Sequence, residues 1–170
     1  MKTVVVYKSI TGFTKKYADW IAEELKADIF KREEINANKL LEYDKVVYGG
    51  SLHAAGITGI DIIKKNFGKL KDKNIIVFAT GASPYKEELI DEIKRMNFKD
   101  EEQKKIKLFY FRGGFDFKKL NLTNKILMTL FRWKLRSRKN KTSDEKEMLA
   151  AYERPVDFTK RESIKELISY

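Results

Sequence analysis

The chain has 170 residues, of which 42% are hydrophobic and 36% charged, with a formal net charge of +11. That length and apolar content suit one domain spanning 1–170 with a sizeable core, and a second domain is not expected. The absence of cysteine excludes disulfides, thiolate metal sites and cysteine nucleophiles, and a single histidine, His53, excludes a multi-histidine centre, so no metal is expected. Met1-Lys2-Thr3 leads straight into an apolar run with no signal-peptide pattern, which makes a cytoplasmic protein the expectation.

Thr3-Val4-Val5-Val6-Tyr7 is a β-branched apolar run of the kind that forms a strand buried on both faces. Lys8-Ser9-Ile10-Thr11-Gly12-Phe13-Thr14 then turns the chain into a helix. Ser9, Thr11 and Thr14 can each donate to an anionic oxygen. Gly12 lets the backbone approach a ligand, and the first turn of a helix presents free N–H groups at its positive end. The same residues would also suit a plain helix cap. Neither the GxxxxGK[ST] nor the GxGxxG nucleotide pattern is present. The pattern Ser-x-Thr-Gly-x-Thr after strand one resembles instead the FMN-phosphate loop of flavodoxins.

Ala18, Ile21, Ala22 and Leu25 recur at helical spacing, and Asp28–Arg32 reads as an outer strand. Tyr43–Tyr48 is the next strand, followed by a loop of small residues, Gly49-Gly50-Ser51-Leu52-His53-Ala54-Ala55-Gly56. Ile57 to Gly68 is expected to be helical, with Gly68 as its stop. Lys73–Thr80 is a buried strand that leaves through Gly81-Ala82-Ser83-Pro84-Tyr85, a loop by its Gly and Pro content. A helix over 87–96 and a strand over 106–111 ending at Gly113-Gly114 complete the alternation.

Strands alternating with helices at this spacing imply an α/β fold of three layers, a five-stranded parallel sheet in flavodoxin-like order 2-1-3-4-5. Ligands bind beyond the carboxyl ends of such strands, and the special loops all fall there. On that basis Ser9, Thr11, Gly12, Phe13 and Thr14 would take a phosphate. Gly50, Ser51, Leu52 and His53 would take one side of a flavin ring, and Thr80, Gly81, Ala82, Ser83 and Tyr85 the other. Tyr85 could stack on the ring. His53, the sole imidazole, is the one candidate for proton chemistry, although loop histidines are usually just solvated.

A helical insertion is expected at about 115–145. The segment from Lys104 to Lys141 holds thirteen Lys or Arg against one acid, Asp116, so it carries +12 and the remainder of the chain −1. Within it, 120–139 reads as a helix with Lys125, Thr129, Arg132, Arg136 and Lys139 as one polar stripe and a wide apolar face that includes Phe131 and Trp133. No uncharged run approaches the roughly 20 residues of a spanning helix. A basic amphipathic helix of this kind suits an anionic membrane surface, and also suits a partner helix or simple packing on the domain. Nucleic acid is not the expected partner, since no RRM, KH or zinc-finger pattern accompanies the charge. Asn140–Asp144 reads as a polar connection, and Thr159 with Glu162 has capping-box spacing before a closing helix.

Taken over nearly its full length, the chain resembles the flavodoxin-fold family that includes the bacterial menaquinone-dependent protoporphyrinogen dehydrogenase. The likeness rests on MKTVVVYKSITGFTKKYA, YDKVVYGGSLHAAG, FYFRGGFDFKKLNLTNKILMTLFRWKL and RPVDFTKRESIKEL. The resemblance implies noncovalent FMN, an oxidoreductase acting on protoporphyrinogen or a similar bulky substrate with a quinone as acceptor, and a location peripheral to the inner face of the membrane. His53 stands where the dehydrogenase tends to have arginine. The alternative is a noncatalytic electron-transfer protein docking on a redox partner, and a third reading is a flavin-free domain that acts by protein contact.

Overall fold

Val4, Val5 and Val6 are all fully buried, because alternate residues of one strand enter two different cores. The computed structural model describes residues 1–170. Its elements run β1 (Thr3–Lys8), α1 (Phe13–Leu25), β2 (Asp28–Lys31), α2 (Ala37–Leu40), β3 (Lys45–His53), β4 (Gly56–Ile57), α3 (Asp61–Leu70), β5 (Asn74–Gly81) and α4 (Glu87–Asn97). They continue α5 (Asp100–Gln103), β6 (Ile106–Arg112), β7 (Gly114–Phe115), α6 (Leu122–Ser137), α7 (Ser143–Ala151), β8 (Val156–Asp157) and α8 (Lys165–Ser169).

The parallel sheet has the order β2-β1-β3-β5-β6, the doubly wound order expected, with β4 added as a short antiparallel arm of β3. Val4, Val6, Val46, Tyr48, Ile75 and Val77 face a core shared with Ile62, Ile63 and Leu70 of α3 and Ile93 of α4. Val5, Val47, Ile76 and Phe78 face the other core, closed by Tyr17, Ala18 and Ile21 of α1 and by Leu167 of α8. The fold is therefore α/β and flavodoxin-like, a sheet between two helical layers.

Several local expectations change. The small-residue stretch after Tyr48 is strand up to His53, then a two-residue turn at Ala54-Ala55 and the return arm β4. Gly49 and Gly50 serve packing here: a Cβ on Gly50 would lie 2.5 Å from Ile57 Cγ2 and 2.7 Å from the Thr58 carbonyl oxygen. Because Ile57 pairs with Leu52 in that hairpin, α3 starts only at Asp61. It also runs through Gly68 to Leu70, since continuing places Leu70 in the core. Thr159 makes no capping box. Its N–H and hydroxyl both donate to Asp157 Oδ1, at 2.9 and 2.6 Å, and a 3₁₀ turn over Arg161–Ile164 precedes α8.

After β6 the chain builds a cap. β7 pairs antiparallel with β8, and α6 and α7 lie between them in sequence. Phe115, Ala151 and Tyr152 form a small core of their own, with Met128, Met148 and Leu120 packed around it. The polar connection expected at 140–144 gives way at Ser143 to α7, whose start is a capping box of Thr142 and Glu145.

Candidate functional site

β1 delivers the chain to the loop at 9–12, and α1 begins on a glycine with φ +98°, so no side chain caps the helix. The N–H groups of Phe13, Thr14 and Lys15 consequently find no acceptor within the chain. Ser9 Oγ accepts from the Gly12 N–H at 3.1 Å and shapes the bend. Thr11, half-buried, keeps its hydroxyl free of internal bonds. Lys8 pairs with Glu33 at 3.0 Å, away from the loop, so amides and hydroxyls supply the donors.

Thr14 is 1% exposed, and its hydroxyl sits 2.9 Å from Ser51 Oγ and 2.7 Å from Thr80 Oγ1. Hydroxyls from α1, β3 and β5 thus meet beside the free amides. Thr14 can give its one proton to only one of these neighbours, so at least one of the two donates to it. The other, where it accepts from Thr14, keeps an O–H for a ligand. Free amides, the positive helix end and that hydroxyl together form a donor set matched to a phosphate dianion, and no acidic side chain opposes it.

Beyond the loop a cleft of about 270 Å³ opens at the carboxyl ends of the strands. Thr11, Phe13, Ser51, Leu52, His53, Thr80, Gly81 and Ala82 all line it, so eight of the residues singled out from the sequence converge. Ser9, Gly12 and Thr14 form the loop beneath. Gly50 packs on Ile57, Ser83 lines a neighbouring cleft, and Tyr85 is 60% exposed and outside the lining. That third loop is held by Tyr110, whose hydroxyl donates to the Ser83 carbonyl oxygen at 2.6 Å. Burial pushes the Tyr110 hydroxyl up to about 12, which keeps it a donor at neutral pH.

The remaining lining comes from Ile10, Ala54, Gly113 and Gly114, and from Phe115, Leu120, Asn124, Leu127, Met128 and Met148 of the cap. Gly113-Gly114 was legible as a further loop at the carboxyl edge. The cap residues carried no sequence signal, because an apolar residue looks alike whether it meets a core or a ligand. Gly114 is enclosed: a Cβ there would meet the Val156 carbonyl oxygen and lie 2.5 Å from Phe13 Cζ.

His53 sits exposed on the rim, next to a strained turn. Ala54 and Ala55 have φ of 46° and 63°, the left-handed pair of a type I′ hairpin, where Asn-Gly is the favoured dipeptide. Such conformations cost a residue with a Cβ about 1 kcal/mol or more each. The double change Ala54→Asn, Ala55→Gly is therefore expected to raise stability by about 1 kcal/mol and the thermal midpoint by about 3 °C. Thermal unfolding without added ligand checks this, and an unchanged or lowered midpoint would show that the turn carries no strain.

Residues 4–143 match the family model described as flavodoxin domain. An uncharacterized protein of Methanocaldococcus jannaschii is 30% identical over 109 residues, which cover 58% of this chain and 69% of that protein. Among solved structures, a flavodoxin from the domain Archaea aligns over 100% of both chains with 17% identity and a TM-score of 0.43. The two-electron reduced flavodoxin of Megasphaera elsdenii has 16% identity and a TM-score of 0.44, covering 64% of this chain and 84% of its own. The chain belongs to the flavodoxin domain family, and that membership points to FMN as its cofactor.

Proposed function

We propose that this protein is an FMN-dependent oxidoreductase that works against an anionic membrane surface, oxidising a bulky, largely apolar substrate such as protoporphyrinogen and passing the electrons to a quinone. Ser9, Thr11, Gly12 and the free amides of α1, with Ser51 and Thr80, would hold the FMN phosphate, and the cleft above them the ring. Bound there, FMN supplies hydride and single-electron chemistry. Phe115, Leu120, Met128 and Met148 of the cap keep water from the cleft, and His53 on the rim is the one imidazole placed to carry a proton.

The observation that carries the membrane reading is the two-sidedness of α6. Asn124, Leu127 and Met128 line the cleft and Leu135 is buried against the body, whereas Leu122, Ile126, Leu130 and Trp133 are 57–75% exposed along one opposite arc. Lys134 and Arg136 flank that arc, whereas Phe131, 40% exposed, lies on the other side of the helix beside Leu135 and Met148. Half of the chain's exposed large apolar side chains sit on this one helix. The expected basic stripe is partly spent inside the cap: Arg132 lies 5.2 Å over the Tyr152 ring and pairs with Glu153, which Arg136 also approaches at 3.7 Å. No helix is long and apolar enough to cross a membrane, so contact would be interfacial.

Flotation with vesicles of phosphatidylglycerol and phosphatidylcholine tests the surface. The protein is expected to float with the anionic mixture, to be released by high salt, and to lose at least tenfold in binding when Ile126 and Trp133 are both changed to Ser. Wild-type protein left at the bottom of the gradient would remove the membrane. Anaerobic mixing of the FMN-loaded protein with protoporphyrinogen tests the substrate: the flavin band should bleach and return on adding menaquinone. Failure to bleach, with reduction by a flavodoxin reductase intact, would favour the electron carrier.

A further inference from the structure

A second cleft, of about 300 Å³, lies beside the first, across a wall of Ala82, Phe115 and Met148 that lines both. Leu89, Ala151, Val156 and Phe158 give it further apolar surface, and two cations reach it, Arg112 from β6 and Lys86 from the loop before α4. Arg112 is fixed in advance. Its guanidinium stacks 3.6 Å from the centre of the Phe158 ring, and its Nε donates to the Ala82 carbonyl oxygen at 3.0 Å.

The remaining edge of that guanidinium donates to Glu147 at 2.9 Å, and Lys86 stands 3.5 Å from Asp144. Both carboxylates belong to α7, so the body supplies the cations and the cap the anions. Glu147 and Asp144 are about half exposed, at 45% and 51%, and ion pairs this open to water contribute little. A planar, preordered guanidinium in an apolar recess is a receptor for a carboxylate, and Glu147 is its weak internal occupant. Glu88 and Glu92 of α4 line the outer rim, where they would repel a phosphate dianion more than a single carboxylate.

We propose that this cleft binds an apolar carboxylic acid, whose carboxylate displaces Glu147 from Arg112 while its hydrocarbon part packs on Phe158 and Met148 against the wall of the cofactor cleft. The assignment does not depend on the membrane contact or on protoporphyrinogen as substrate. Its test is calorimetric titration of the FMN-loaded protein with 2-naphthoate and with its neutral counterpart 2-naphthalenemethanol. The acid is expected to bind at least tenfold tighter than the alcohol. Glu147→Gln should tighten the acid about fivefold and leave the alcohol unchanged, and Arg112→Gln should bring the acid down to the level of the alcohol.

Equal binding of acid and alcohol by the wild type would overturn the proposal, as would a Glu147→Gln variant that binds the acid no better. If that variant lost both probes, Glu147 would be a latch that holds the cap and nothing more. Should Arg112→Gln fail to fold, the wild-type ratio and the exposed Glu147→Gln change still decide. The flavin absorbance of each sample reports separately whether FMN is bound.

Discussion

Gly49→Ala is expected to destabilise the protein by at least about 3 kcal/mol, the upper end of what overpacking a core costs. A methyl group at that position would lie 2.5 and 2.6 Å from Phe78 Cε1 and Cε2, with Cζ closer still. Phe78 cannot retreat. It is fully buried and leans on Phe111 with ring centres 5.6 Å apart, and β3 is held between β1 and β5, so the backbone cannot yield either. Urea unfolding measures the loss, and Phe78→Leu should restore part of it by opening the space. Gly68→Ala is the matched control with opposite sign. Nothing lies within 4 Å of its future methyl and it occupies a helix, so a gain of about 0.5–1 kcal/mol is expected. Comparable effects of the two substitutions would refute the packing account of Gly49.

Thr11→Asp should weaken FMN binding by about 100-fold, equivalent to ~2.7 kcal/mol, and leave riboflavin binding almost unchanged. The expected loss is electrostatic. Thr11 lies between the bend and the cleft, next to the unpaired amides of Phe13, Thr14 and Lys15, and a carboxylate there would occupy the anion's place at the helix end. The penalty should shrink as salt is raised, since the loop is partly open to water. Thr11→Val removes one donor without adding charge and should cost only about tenfold. Fluorescence titration with both flavins distinguishes the outcomes. A parallel loss of FMN and riboflavin would mean that the loop supports the ring or the fold, and unchanged FMN affinity would place the phosphate elsewhere.

Much of the scaffold was readable because its signals act over a few residues. The β-branched runs at 3–7, 46–48 and 75–78 mark strands buried on two faces, and helical spacing at Ala18, Ile21 and Ala22 marks the helix that covers one of them. The hydroxyl bend at 9–14 was equally local. Reading failed where a residue's partner lies far along the chain. Gly50 looked like room for a ligand, and it is room for Ile57. Gly68 looked like a stop, yet burial of Leu70 carries the helix past it. Tyr85 looked available for stacking, but the Tyr110 bond to the Ser83 carbonyl holds a loop in which it faces solvent.

By itself, then, the sequence determined the alternating α/β order, the bend at residues 9–14 and the concentration of positive charge from Lys104 to Lys141. Those follow from side-chain periodicity, turn chemistry and composition, all of them local. Only the tertiary structure decided that Thr14 joins Ser51 to Thr80, that the cap walls the cleft with Phe115, Met128 and Met148, and which arc of α6 is left in water. Each depends on contacts between residues 20 or more apart, such as the bond from the Tyr152 hydroxyl to the Met128 carbonyl oxygen at 2.7 Å, and no short-range pattern encodes which of two apolar faces will be covered.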